Sequence, residues 1–268
     1  MSNVAVIMSV YKNDDLCYLK ESVNSILGQS YLCDFFIYVD GDIPSEMSDY
    51  LDSIHQHKNV QLICNHINNG LAYALNELIN LTKSYEYIAR MDSDDISYSD
   101  RISKQVAFMD SNPKVDVMGA ACREFGADFA LEKKSLPTGH RDLLNFSITR
   151  CPFVHPTVMF RKRVFECDNM RYPINTTLTE DMAFWLLLLE RGYYFSNIDE
   201  VLLDYRLTES TIDRRKGIFK AISEITIRIK YMFLLKKVTI KNISMLTFRL
   251  FFHLMPSRIV KFSYKHFR

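Results

Sequence analysis

The sequence predicts an α/β protein, a Rossmann-like and mainly parallel sheet flanked by helices, with a basic helical extension at its C-terminal end. Three observations carry this expectation. The first 120 residues alternate short apolar runs with stretches of helical periodicity, the rhythm of a helix-covered parallel sheet. From Arg214 onward fourteen Lys and Arg face one acid, Glu224, for a net charge of +13, while the rest of the chain carries −12. A chain of 268 residues that is 48% hydrophobic and 24% charged has the composition of a globular protein, one large domain with or without an appendage. Those figures exclude a disordered chain, a collagen and a coiled coil.

The elements follow in order. Val4–Val10 is a short apolar run and reads as a buried strand. Leu16, Leu19, Val23, Ile26 and Leu27 have helical spacing, and Asn13 or Asp14 is placed to cap that helix. Phe35–Val39 is a second strand, Ser45–His57 a polar helical stretch and Val60–Cys64 a third strand. Leu71, Leu75 and Leu78 mark a helix that Asn69 can cap. Tyr85–Met91 is a fourth strand, and Ile102, Val106 and Met109 mark a helix ending before Pro113. Val115–Ala121 is a fifth strand. Beyond it the rhythm breaks. Val154–Phe160 reads as a strand, and Glu180–Glu190 is a helix apolar around its whole circumference, hence buried. Tyr193–Leu207 is one or two strands, and the chain is helical from about Thr208 to its end. The longest late apolar run, Ile243–Met255, is broken by Arg249 and His253, so no transmembrane helix is expected. No two of the six cysteines lie closer than sixteen residues, which points to scattered buried thiols rather than a metal site or a disulfide framework. A basic segment opposite an acidic body suits an anionic partner, a nucleic acid or a membrane surface, while a helical cap packed on the body, its bases solvated or facing the acidic region, is the plainer reading.

The sharpest local feature is Ala89-Arg90-Met91-Asp92-Ser93-Asp94-Asp95. Three carboxylates stand just past a predicted strand, at the sheet edge where open α/β folds bind ligands. In extended geometry Asp92 and Asp94 point to one side. Their mutual repulsion calls for a cation, and a divalent ion with oxygen ligands is the natural partner, diphosphate its usual companion. A solvated acidic turn is the plainer reading of the same residues, and Asp40-Gly41-Asp42 repeats the spacing.

Six segments in order resemble a family 2 glycosyltransferase of the GT-A fold, the kind found in bacterial O-antigen and capsule assembly. They are Val6-Ile7-Met8-Ser9-Val10-Tyr11-Lys12, Tyr38-Val39-Asp40-Gly41, Asn68-Asn69-Gly70-Leu71-Ala72-Tyr73-Ala74-Leu75-Asn76, Tyr87 through Asp95, His155-Pro156-Thr157-Val158-Met159-Phe160-Arg161, and Thr179-Glu180-Asp181-Met182-Ala183-Phe184-Trp185. The resemblance covers residues 4–210. It implies a catalytic domain over 1–210, with a nucleotide-sugar half at 1–121 and an acceptor half at 122–210; beyond it, basic residues interleaved with apolar ones mark 211–268 as a membrane-associating extension.

The resemblance also implies roles. Tyr11, Asp40, Asn68, Arg90, Asp92 and Ser93 would bind the nucleotide sugar, Asp94 with Asp92 would hold Mn2+ or Mg2+, and Asp181 would be the general base. His155 and Glu180 would lie in the acceptor or metal region. Each residue also has a structural reading. Tyr11 can stack on a uracil ring or fill a turn; Asp40 can accept from a base imide N–H or a ribose hydroxyl; Asn68 can serve a turn; Arg90 can form an ion pair with a neighbouring aspartate. Glu180 and Asp181 can complement a helix dipole, and His155 can be a core residue. The pattern Asp-Gly-Ser expected after Asp40 is replaced by Gly41-Asp42-Ile43-Pro44, which leaves Asp42 without an assigned role.

The implied reaction inverts the anomeric carbon of a UDP-hexose. The acceptor is a sugar hydroxyl on a polyprenyl diphosphate, and the enzyme sits peripherally on an anionic membrane surface at the cytoplasmic face, with no nucleic acid involved. Two other classes compete. A phosphatase with an aspartate nucleophile also uses Asp-x-Asp after a strand, but after the first strand rather than the fourth. A non-catalytic binding protein could keep the same fold.

Overall fold

The computed structural model describes residues 3–166, 170–208 and 217–254. Eight strands, β1 (Val4–Val10), β2 (Asp34–Asp40), β3 (Val60–Asn65), β4 (Tyr87–Met91), β5 (Ile96–Ser97), β6 (Val117–Phe125), β7 (Met159–Arg161) and β8 (Phe195–Arg206), form one sheet in the order β3-β2-β1-β4-β7-β6-β8-β5. Six helices accompany them through this region: α1 (Leu16–Leu27), α2 (Ser45–Ile54), α3 (Leu71–Thr82), α4 (Arg101–Ser111), α5 (His140–Ser147) and α6 (Glu180–Glu190). Two more, α7 (Ile218–Leu234) and α8 (Ile240–Leu254), follow.

Alternation along the central strands sorts the helices onto two faces, because successive side chains of a strand point to opposite sides. Val4, Val6, Met8 and Val10 of β1 join a core with α1, α2 and α4, through residues such as Val23, Leu51 and Val106. Ala5 and Ile7 of the same strand face α3, α5 and α6, where Leu75, Leu143, Phe184 and Trp185 are buried. Helix α6 is buried nearly all round, as its sequence predicts.

The sheet is not uniformly parallel. β3, β2, β1 and β4 run parallel, but β7 is inserted antiparallel between β4 and β6. The fifth predicted strand therefore does not neighbour the fourth. The predicted strand Val154–Phe160 is mostly a 3-10 turn at His155–Thr157, and only Met159–Arg161 pairs. Pro156 lacks the N–H that a ladder needs, which explains the shortened strand.

Other local expectations are corrected too. The cap of α1 is Asp15, whose Oδ1 accepts from the amides of Cys17 and Tyr18, and neither Asn13 nor Asp14 fills that place. Gly70, not Asn69, stands at the N-terminus of α3. Helix α2 stops at Ile54, short of His57. Cys17 and Cys64 are exposed rather than buried, and Cys167 lies outside the described residues. The predicted terminal helix is broken between Leu234 and Ile240, and residues 209–216 and 255–268 lie outside the described part. Among the described residues no helix is long and apolar enough to cross a membrane.

The basic segment packs on the body through α7. Tyr231 meets Met182 and Leu186 of α6, and Met232 meets Ile148 and Leu246. Arg228, fully buried, donates to the carbonyls of Ser147 and Ile148 and pairs with Glu224, which also takes Arg249 from α8.

Candidate active site

The acidic motif lies where β4 ends. Ser93 and Asp94 form a turn into β5, so the carboxylates meet through that turn and not through strand alternation. Asp92, Asp94 and Asp95 each present an oxygen within 4.8 Å of the others. Asp95 is buried, its Oδ1 accepts from the Arg206 amide at 2.8 Å, and its Oδ2 has no partner. Burial, with Asp92 and Asp94 alongside, pushes the Asp95 carboxyl well above the usual range. A divalent cation would relieve that repulsion, and three clustered carboxylates with an unpartnered buried oxygen are the hard donor set that Mn2+ or Mg2+ takes.

The turn is held from several sides. Ser22 donates to the Asp92 carbonyl at 2.7 Å, and the Arg206 guanidinium, lying over Tyr18, donates to the Asp94 carbonyl at 2.7 Å. Arg101, buried behind it, donates to the Arg90 carbonyl at 2.7 Å. A fourth carboxylate adjoins the cluster. Asp14 accepts from the Tyr11 amide at 3.0 Å and from the Ser93 side chain, and burial raises it to about 6, with Asp94 and Asp92 adding to the rise. Asp14 and Arg206 were not assigned to the site from sequence, and Asp95 reads there only as the third carboxylate of the acidic motif. Arg206 stands 111 residues beyond Asp95 and only the sheet brings them together.

Arg90 links two halves of the site. Its side chain is buried and pairs with Asp92, while its Nε and the second terminal nitrogen lack partners. Its charge also reaches His155, Tyr172, Glu180 and Asp181. His155, predicted to open a strand, sits in the 3-10 turn, where its Nε2 meets the Tyr172 hydroxyl at 2.9 Å. Burial, and then Arg90, keep its imidazole well below its usual pKa, so it is neutral at pH 7. Glu180 and Asp181 open α6. Burial raises both carboxyls; the Met182 amide at 2.6 Å, Lys220, Arg90 and Arg228 partly restrain Asp181.

The third part is a cleft of about 260 Å³ at the ends of β2 and β3, lined by Lys12, Asp40, Gly41, Asp42, His66 and Asn68. Asp40 is buried, and its two carboxylate oxygens accept from the amides of Asn69 and Gly70, each at 2.8 Å. Asn68 donates to the Asp40 carbonyl at 2.9 Å. Asp40 thus shapes the loop before α3 with the carboxylate the sequence reading offers to a nucleoside. Exposed Asp42 meets His66 Nδ1 at 3.0 Å. Tyr11 is half-buried, just beyond β1.

A sheet with helices on both faces and an acidic turn at the carboxyl edge of its fourth strand defines a protein of the GT-A glycosyltransferase class. Comparison with known proteins gives the particular group: residues 5–168 match Glycosyl transferase family 2, and the chain belongs to that family. It is similar to the UDP-Gal:alpha-D-GlcNAc-diphosphoundecaprenol beta-1,3-galactosyltransferase of Escherichia coli, 35% identical over 82% of this chain and 80% of that protein. The amylovoran biosynthesis glycosyltransferase AmsE of Erwinia amylovora is 26% identical over 97% of each chain. Among solved structures, the mannosyltransferase PcManGT of Pyrobaculum calidifontis, in complex with GDP-Man and Mn2+, shares the fold with a TM-score of 0.63. The identity is 14%, over 98% of this chain and 84% of that one. The two bacterial relatives of this chain are thus glycosyltransferases, one acting from UDP-Gal on a diphosphoundecaprenol-linked GlcNAc and one of amylovoran biosynthesis.

Proposed function

We propose that this protein is an inverting, metal-dependent hexosyltransferase. It moves glucose, galactose or an N-acetyl form from a UDP-sugar to a hydroxyl of a sugar carried on a polyprenyl diphosphate, in O-antigen or capsule assembly. The observation that carries this reading is the position of Arg90, buried between the Asp92–Asp95 cluster and the Glu180–Asp181 pair with two nitrogens unsatisfied. Buried donors without partners are costly, and diphosphate oxygens would satisfy them.

Asp94, Asp92 and Asp95 would hold Mn2+ or Mg2+, which supplies charge stabilisation to a departing diphosphate. Arg90 stabilises the same developing charge from the protein side. Asp181 takes the proton of the acceptor hydroxyl, and burial, by raising its carboxyl, makes it a stronger base than an exposed aspartate. His155 and Glu180 face the acceptor, while Tyr11, Asn68 and the cleft at Asp40 lie at the nucleoside end. The similarity to the galactosyltransferase makes UDP-Gal with a GlcNAc-diphosphate lipid the first pair to assay.

The basic segment supports peripheral attachment at the cytoplasmic face. Phe219, Ile222, Ile229 and Phe233 form an exposed apolar stripe on α7, beside Lys230 and near Lys236 and Lys241. Such a stripe with basic neighbours suits an anionic bilayer interface.

The test is a panel of UDP-Gal, UDP-Glc, UDP-GalNAc and UDP-GlcNAc against GlcNAc- and GalNAc-diphosphate lipids. Product is read by mass and by the anomeric proton coupling. One pair should gain a single sugar in the inverted configuration. UDP-sugar binding without transfer in any pair would instead favour a binding protein of the same fold.

A further inference from the structure

The acid-bearing start of α6 is held by a helix from the basic segment, through a strained turn. Leu178 has φ +52, a left-handed conformation that a bulky residue rarely adopts. Its side chain is 58% exposed, so core packing does not impose that conformation. Ser223 of α7 touches the chain on both sides of it: the Ser223 hydroxyl accepts from the Thr177 amide at 3.4 Å and shares a 3.0 Å hydrogen bond with the Thr179 hydroxyl.

Thr179 is the N-cap residue of α6, a place where a threonine hydroxyl ordinarily accepts from the helix's own amides. Here it makes no such cap and turns to Ser223 instead. Backbone strain of this kind persists where surrounding contacts over-determine it, and it concentrates at functional sites. The next two residues are Glu180 and Asp181. Lys220, one turn before Ser223, acts on both acids.

We propose that Ser223 is a positioning residue for the transfer reaction: by pinning Thr177 and Thr179 it keeps Leu178 left-handed and aims the acid pair at the acceptor. The helix that carries the outward apolar stripe is thereby part of the catalytic unit. This inference rests on the reading of Asp181 as the base.

The test uses the full chain with UDP-Gal, Mn2+ and GlcNAc-diphosphoundecaprenol, reading UDP release, and amide hydrogen exchange without substrate. Ser223→Ala should lower kcat about ten-fold, the cost of a small misplacement of a reacting group, while the KM for UDP-Gal and the affinity for UDP stay within about two-fold. Ser223→Thr should keep most of the turnover. Leu178→Gly in the Ser223→Ala background should restore part of it, because glycine holds the left-handed turn without strain. The amides of Thr177, held by Ser223, and of Ala183, whose bond to the Thr179 carbonyl opens α6, should exchange faster in Ser223→Ala, with β1–β4 unchanged. Native exchange at those amides overturns the inference, whatever the substrate proves to be. So does native kcat in Ser223→Ala, or a loss matched by UDP affinity and Tm. An inactive Asp181→Asn beside a native Ser223→Ala removes Ser223 alone, whereas an active Asp181→Asn removes the base and Ser223's role with it.

Discussion

Two carboxylates of this site differ in what their loss should do. Asp94 sits in the cluster proposed to hold the cation, so Asp94→Asn should abolish nearly all turnover while the Tm stays near native, and EDTA should have the same effect on the unaltered protein. Full turnover in EDTA would remove the metal. As the proposed base, Asp181 would act in the transition state, so Asp181→Asn should cut kcat by about three orders of magnitude and leave UDP-sugar affinity nearly intact, with Glu180→Gln milder. The pH profile carries a sign. A base must be deprotonated, and burial raises the Asp181 carboxyl above 3.8. Turnover should therefore fall as pH drops through that raised value, on an acidic limb placed above an ordinary aspartate's. A limb at or below 3.8 would show that another group is the base. The spacing of the aspartates and an acidic turn were both legible at this scale, but the bounds of that turn at Ser93–Asp94 were not, because two residues of turn look like two residues of strand until β5 pairs with β8.

Among the elements, the β2–α2 connection and the loop before α3 act as one unit. Gly41 has φ +90, and a Cβ there would stand 2.9 Å from Asn68 Cβ. Gly41→Ala should destabilise the fold by about 1–3 kcal/mol through backbone strain, and should weaken UDP binding more than it lowers kcat, since the displaced loop lines the cleft proposed for the nucleoside. Chemical denaturation and calorimetry with UDP check the two effects separately. Apart from β5, the strands and helices through α4 follow closely from periodicity, since each buries one face or one stripe in a sheet covered on both sides. β7 reads from sequence as Val154–Phe160; its three-residue length and antiparallel place did not follow, because Pro156 shortens it and its pairing partners are remote in sequence.

For the whole molecule, the division of charge and the two-faced α7 make one prediction. The protein should float with liposomes that contain anionic lipid at low salt, and dissociate as salt rises, because each basic residue near such a surface is worth on the order of 1 kcal/mol and is screened within a Debye length. Phe219→Ser with Phe233→Ser, both exposed, should weaken flotation without changing the fold. A protein that stays in solution beside anionic liposomes at low salt has no such attachment. By itself the sequence determined the βα rhythm, the acidic motif beyond the fourth strand, the acid pair opening α6 and the basic segment, because periodicity, local spacing and charge are properties of neighbouring residues. Only the tertiary structure decided that β7 runs antiparallel beside β4, that Arg206 and Asp14 close around the acidic turn, and that α7 reaches back to the start of α6. Those contacts join residues dozens to more than a hundred positions apart, and burial in the common sheet and core is what brings them together.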